Sequence, residues 1–532
     1  MNFEKAARPL VMGRGGAISS GHSLASLAGV KVLQEGGNAV DAALAAAFVM
    51  TVVKPETCGP GGDLFALVHM KKAGAVEALN ASGPAPRKAT VDYFHDHDLD
   101  AIPVSGPLSV AVPGAVDGWL ELHKKYATMD LSRLTSDAIR LAREGFPVQQ
   151  DLVECIEELS GQFPWIDRVY RQPLNGPRAG KLLYQKGLGD VLKQIALRGR
   201  DGFYGGEVAD KICQSVADEG GLLGGDDLQT PVAQWLTPLN STYRGYRVYE
   251  QPPVSQGFMV LEMLNIIEAW PMNGELSRGD VIHYQVSAKK LAFEDRIRHL
   301  EDPAFGDPKI AWLISKEYAA KRRELIDNHD VRLQNAPVPL GSDTTYLCAA
   351  DRDGNAISLI QSVFAPFGSR FIAGETGVIL NNRLCSFGLD PSKANALRPG
   401  KRPAHTLNSY MVLEGEEFFA AGGSPGADDQ PQTNLQVLHN ILDLGMDPQS
   451  AVEAPRWSHQ PGTPPRDKMP EELRMEKGFG SQEIVDLQRR GHKVSIVDRW
   501  SFGSAKVILR DRETGTWMAG ADPRREAYAL GI

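Results

Sequence analysis

From Asn328 to Asp343 the chain reads NHDVRLQNAPVPLGSD, a polar run with two prolines and no apolar period, which is the pattern of an exposed loop. At Thr344 the pattern turns abruptly to β. Thr344–Ala350 alternates in part, Asp351-Arg-Asp-Gly-Asn355 supplies a hairpin turn, and Ala356–Val363 returns as a second strand. A mid-chain loop that opens directly onto a strand pair divides the sequence into a mainly helical front and a β-rich back.

The front begins with two helices. Residues His22 to Gln34 have helical apolar spacing and stop at Gly36-Gly37, and Asn38 or Asp41 can cap an Ala-rich helix that runs through Met50. The loop Cys58-Gly-Pro-Gly-Gly-Asp63 then leads into a strand at Leu64–His69. No Lys-Ser/Thr follows its glycines, as a phosphate-binding loop requires. From Pro107 to Glu324 helices dominate, interrupted by strands near Tyr246–Gln251. Behind the hairpin, strands are expected at Ser409–Leu413 and Phe418–Ala421, a helix at Thr433–Leu444, and a last hairpin at Ala505–Arg510 and Thr516–Ala519. These proportions point to an α/β sandwich.

Composition narrows the function. The net charge of -9, without a polybasic tract, excludes non-specific nucleic-acid binding and docking to an anionic membrane. No apolar stretch reaches the roughly 18 residues of a spanning helix, and the N-terminus lacks a secretory apolar core, so a cytoplasmic setting is expected. The five cysteines are widely spaced and include no CxxC, which points to neither a disulfide framework nor a zinc site. HExxH is absent, and His95-Asp-His97 lies in an acidic stretch without a third ligand, so no metal and no cofactor are expected. His22, His405 and His459 stand alone in the sequence.

Asp343-Thr344-Thr345, at the junction of loop and strand, would by itself be an ordinary β-branched strand start. Its surroundings change that reading. The stretch DTTYLCAADRDGNAISLIQSVFAPFGSRFIAGETGVILNN resembles the start of the small subunit of gamma-glutamyltransferases, and KRPAHTLNSYMV and GGSPGADDQPQTNLQVLHNILDLGMDPQSAVEAPRW resemble its later blocks. GVKVLQEGGNAVDAALAAAFVMTVV, CGPGGDLF, SVAVPGAVDGW, YRGYRVYEQPPVSQG and AFEDRIRHLEDPAF resemble successive blocks of the large subunit, in order.

The resemblance implies an N-terminal-nucleophile hydrolase: an αββα sandwich of two stacked antiparallel sheets flanked by helices. It implies one precursor that cuts itself between Asp343 and Thr344, giving a large chain 1–343 and a small chain 344–532 that stay associated as one αββα unit. Thr344 is then the nucleophile. Ser362 stands where the family has a hydroxyl that hydrogen-bonds it, and Gly426 and Ala427 match the two residues whose N–H groups form the oxyanion hole. The family has glycine at the second of these positions, so Ala427 fits if its backbone does not demand a positive φ.

The substrate-binding positions depart from the family. The family's carboxylate-binding arginine and the acid beside it are replaced by Ser82 and Gly83, and its paired serines by His405-Thr406. Its acceptors for an amino group are replaced by Arg383 and Ser386, and an asparagine by Phe364. Arg383, Phe364, His405, Thr406 and Thr345 are therefore the candidate substrate contacts. A buried arginine needs an anion: either a small anionic substrate or a local acid such as Asp428 or Asp429. The departures resemble the oxamate amidohydrolase branch, whose members split oxamate into oxalate and ammonia in purine catabolism. The expected partners are thus a small anionic amide and water, with a higher homo-oligomer left open. A gamma-glutamyl hydrolase or transferase, or a glutaryl (cephalosporin) acylase, is the alternative. An inactive binding scaffold is the third reading.

Overall fold

The computed structural model describes residues 6–327, 343–460 and 471–532. The run expected as an exposed loop, 328–342, lies outside them, and the structure takes up the chain again at the strand Asp343–Asp351.

Two seven-stranded sheets, antiparallel throughout, form the centre. In one, the strands run in the order Tyr528–Gly531, Gly16–Ser20, Asp343–Asp351, Ala356–Phe364, Asp63–Met70, Ala75–Ala81, Gln234–Leu236. In the other the order is Val11–Gly13, Trp517–Ala521, Lys506–Arg510, Glu417–Gly423, Ser409–Glu414, Tyr246–Glu250, Leu239–Tyr243. Their inner faces share an apolar core that includes Phe65, Leu67, Tyr346, Ile360, Met411, Ala421, Ile508 and Trp517. The outer faces are covered by helices. Leu64, Ala66, Val68, Leu347 and Leu359 pack with the helices Ser23–Gln34, Ala39–Val53 and Leu131–Glu144. Val248, Val412, Val507 and Leu509 pack with Phe258–Ile267, Arg278–His299 and Asp429–Leu442. The αββα sandwich expected from the sequence is the architecture observed.

Local chemistry explains the boundaries. Asn38 caps Ala39–Val53, and Asp41 completes a capping box with it. All fifteen residues of that helix are buried, because it lies between a sheet and further helices and its alanines allow close approach. The helix expected from Thr433 starts earlier, at Asp429. Pro431 falls in its first turn, where a missing N–H breaks no hydrogen bond. A three-stranded side sheet, Trp457–Gln460, Glu472–Glu476 and Val494–Val497, was not foreseen, nor were the strands Gly16–Ser20, Ala75–Ala81 and Tyr528–Gly531. Among the described residues no helix is long and apolar enough to cross a membrane, and no cysteine is joined in a disulfide.

Candidate active site

Strand alternation decides which side chains meet. Along Asp343–Asp351, Tyr346, Cys348 and Ala350 point between the sheets, and Leu347 and Ala349 point toward the helices. That parity puts Thr344 on the inner face. The inward residues Ile360, and Phe65 with Leu67, likewise place Ser362 and Asp63 on that face. Register brings the three together, since Ser362 lies directly opposite Asp63. Asp343 pairs with Phe364 but Thr345 pairs with Gln361, so Ser362 and Val363 together oppose Thr344 in a bulge.

The result is a hydroxyl pair. Thr344 Oγ1 lies 3.0 Å from Ser362 Oγ, and either can donate. Ser362 Oγ also accepts from the Phe364 N–H at 2.8 Å. Phe364 has φ +83°, a conformation that a bulky side chain rarely adopts, and its ring lies 4.0 Å from the Arg383 guanidinium carbon. Thr345 faces the other way. Its Oγ1 packs over Gly21, where a Cβ would approach to 2.9 Å, beside Met50 of the helical layer. The substrate-facing side chain expected of Thr345 is therefore corrected, because alternation sends it to the opposite face from Thr344.

Arg383 is fully buried, and its acid partner is neither Asp428 nor Asp429. Asp428 pairs with Arg296, and Asp429 accepts from Ser458 and Gln460. Asp63, which the sequence showed only as the end of a glycine loop, holds Arg383 instead. Its Oδ2 accepts from Arg383 Nε at 3.2 Å and from His405 Nε2 at 3.0 Å, and its Oδ1 accepts from the Gly83 N–H at 3.2 Å. The rest of the guanidinium is lightly used. One Nη lies 3.5 Å from Thr406 Oγ1, and Nη2 is buried without a hydrogen-bond partner among the described residues.

The glycines before Asp63 serve packing. A Cβ on Gly61 would come within 2.2 Å of the Ile379 carbonyl oxygen, and one on Gly62 within 2.3 Å of that of Ser362. Gly83 lies so close to the Val112 carbonyl that no side chain fits there. Ser82 turns to Asn80, donating to its Oδ1 at 2.7 Å.

The other sheet contributes the turn after Glu417–Gly423. Gly426 has φ +121° and Ala427 has φ +47°. The positive φ that could have excluded alanine is thus present, and Ala427 adopts it at a cost of about 1 kcal/mol. The Gly426 carbonyl accepts from the Asp429 N–H at 2.8 Å. Because a trans peptide sets N–H opposite C=O, the Ala427 N–H points away from that helix. Neither the Gly426 nor the Ala427 N–H donates to an acceptor among the described residues.

Electrostatics follow from burial. Desolvation pushes the Asp63 carboxyl up, but the His405 hydrogen bond and the Arg383 charge outweigh it and hold the group below the usual carboxylate range. His405 is lowered to about 4, by burial first and by Arg383 second. Its Nδ1 accepts from the Leu407 N–H while Nε2–H donates to Asp63, which fixes a neutral tautomer. The unfolded chain protonates this histidine near pH 6.5. Between pH 6.5 and 4 the unfolded state therefore holds a proton that the folded state refuses, and stability falls as pH drops through that window. His405→Gln is expected to make that fall shallower by up to about 1.4 kcal/mol per pH unit, read as thermal midpoint against pH. The slope does not vanish, because His22 and His492, both lowered to about 3, act in the same direction. An unchanged slope would remove His405 from the titrating set.

Among the described residues no group of three His, Cys, Asp or Glu side chains is placed to hold a metal ion. His97 Nδ1 contacts the Tyr93 carbonyl at an exposed position. His22 caps the first helix, and His459 lies between Lys289 and Glu471.

Comparison with known proteins matches this geometry to a family. The sequence pattern described as Gamma-glutamyltranspeptidase matches residues 25–532. The chain is 38% identical to the Glutathione hydrolase-like YwrD proenzyme of Bacillus subtilis (strain 168), over 98% of this chain and 99% of the relative. It is 31% identical to the Oxamate amidohydrolase proenzyme of Klebsiella pneumoniae subsp. pneumoniae, over 96% of this chain and 97% of the relative. The crystal structure of cephalosporin acylase from Bacillus halodurans superposes with a TM-score of 0.91 at 35% identity, covering 99% of this chain and 98% of that one. The chain belongs to the gamma-glutamyltranspeptidase family and has the N-terminal-nucleophile hydrolase fold of that family.

Proposed function

We propose that this chain, an amide hydrolase made as a proenzyme like its relatives, cuts itself before Thr344 and then uses Thr344 to hydrolyse a small amide that carries a carboxylate. The observation that carries this reading is the Thr344–Ser362 hydroxyl pair on the inner face at a strand start. The bulge there sets Thr344 Oγ1 within reach of one hydroxyl and leaves the peptide bond to Asp343 at the strand end.

In the first round the Thr344 hydroxyl attacks the Asp343 carbonyl, the C–N bond breaks, and water hydrolyses the ester that forms. Cleavage frees an α-amino group with an unperturbed pKa of about 7.7–8.0, well matched to a general base near neutral pH. In each later round that amine takes the hydroxyl proton as Oγ1 attacks the substrate amide. It returns the proton to the departing nitrogen, and water then releases the acid from the acyl-enzyme. Ser362 orients Oγ1, and the Gly426 and Ala427 N–H groups receive the developing oxyanion. The products 1–343 and 344–532 stay together because each supplies strands to both sheets. The first contributes Gly16–Ser20 and Asp63–Met70 to one and Tyr246–Glu250 to the other. The second contributes Asp343–Asp351 (from Thr344 on) and Ala356–Phe364 to the first sheet and Ser409–Glu414 and Glu417–Gly423 to the second.

Arg383 supports an anionic substrate. Asp63 engages only its Nε, and Nη2, which has no hydrogen-bond partner among the described residues, suits a carboxylate near the scissile carbonyl. Oxamate, with carboxylate and amide directly bonded, meets that demand. The identity to a glutathione hydrolase-like protein supports a second reading, a gamma-glutamyl or glutaryl amide. The test is ammonia release from oxamate beside colour release from gamma-glutamyl-p-nitroanilide. Oxamate turnover is expected to dominate, and efficient turnover of the anilide alone overturns the small-anion reading. Arg383→Ala is expected to raise KM for oxamate at least about 10-fold. An unchanged KM would make Arg383 a structural partner of Asp63 only.

A further inference from the structure

The turn that carries Gly426 and Ala427 is gripped from outside. The Gln256 side chain is fully buried and donates through Nε2 to two carbonyls, that of Thr406 at 2.7 Å and that of Ala427 at 3.0 Å. Its Oε1 accepts from Arg296 of the helix Arg278–His299, and the same guanidinium nitrogen pairs with Asp428 Oδ1 at 2.5 Å. Arg296 orients the amide so that Nε2, and not Oε1, faces the carbonyls. It also fixes the residue that follows Ala427.

We infer that Gln256, set by Arg296, is a positioning residue that holds Ala427 in its left-handed conformation and so presets the N–H pair for the oxyanion. The inference rests on the function proposed above. Ala427 at φ +47° is in a region that alanine leaves when nothing holds it, and release would swing its N–H away. The Gln430 N–H also reaches the Ala427 carbonyl, but at 3.2 Å and from a helix start that moves with the turn. The Thr406 segment is held independently. The His405 N–H donates to Val254, the Gln256 N–H donates to the His405 carbonyl, and Ser255 Oγ donates to the Leu407 carbonyl. Loss of the Gln256 amide therefore falls on the oxyanion turn more than on the substrate wall.

The experiment uses processed full-length enzyme and whichever of oxamate or gamma-glutamyl-p-nitroanilide the wild type turns over. Gln256→Met is expected to lower kcat about 10- to 100-fold with KM near the wild-type value. Adding Ala427→Gly is expected to restore about 10-fold of that loss, because glycine has no bias against the left-handed region. Gln256→Glu, which keeps an acceptor for Arg296 but has no N–H for the carbonyls, is expected to lose kcat likewise and serves where the methionine variant does not fold. A wild-type kcat in either variant, or no recovery with Ala427→Gly, overturns the clamp. Thr344→Ala assayed alongside separates the two claims. Activity surviving there sinks the nucleophile reading, whereas an inert Thr344→Ala beside a fully active Gln256→Met sinks only the clamp.

Discussion

Thr344→Ala is expected to remain one uncut polypeptide of 532 residues and to lose amide hydrolysis by on the order of 10⁴-fold or more. One substitution removes two functions. Without the hydroxyl there is no attack on the Asp343 carbonyl, so the α-amino base is never freed, and the substrate amide has no nucleophile. The fold should survive, since alanine fills the same inward position beside Ser362 and leaves no charge unpaired. A denaturing gel and an ammonia assay read both losses. Cleavage that persists in this variant would transfer self-processing to another group.

Asp63→Leu is expected to destabilise the protein by about 3–5 kcal/mol, the usual consequence of removing one partner from a buried ion pair. Asp63 is fully buried and is the carboxylate on which both Arg383 and His405 depend. Its loss strands a guanidinium in a site without water-facing surface. Adding Arg383→Met removes the stranded charge and is expected to recover most of the loss. Both are best measured by thermal unfolding on the Thr344→Ala background, where the chain is a single covalent unit. An Asp63→Leu protein as stable as its parent would show that Arg383 finds another anion. Because the folded Asp63 carboxyl lies below its ordinary range, its contribution is present above pH ~4 and is lost as the medium is acidified further.

Asp63 also marks where sequence reasoning stopped. The hairpin around residues 351–355, the strand that opens at Thr344, and the capped helix Ala39–Val53 were legible because alternation, turn residues and capping residues are local signals. Ser362 and the turn at 426–427 were reached through family resemblance, and the structure places Ser362 beside Thr344. The Asp63–Arg383 pair was missed because it spans 320 residues, and no local pattern encodes strand register at that distance. A signal was available. Phe65 and Leu67 alternate on the side opposite to Leu64 and Ala66, which already puts Asp63 on the face that Phe65 shares with Ile360. Thr345 was misread for the converse reason: the resemblance made it part of a motif, while parity sent it to the helical layer. The edge strand Tyr528–Gly531 and its neighbour Gly16–Ser20 are short and rich in small residues, and they owe their conformation to the strands they pair with.

The most direct measurement is the intact mass of the chains in catalytically active enzyme. The account predicts two polypeptides, the second starting at Thr344 with an unmodified amino group, and activity that rises in step with their appearance. Full activity from protein in which residues 343 and 344 are still joined would contradict it.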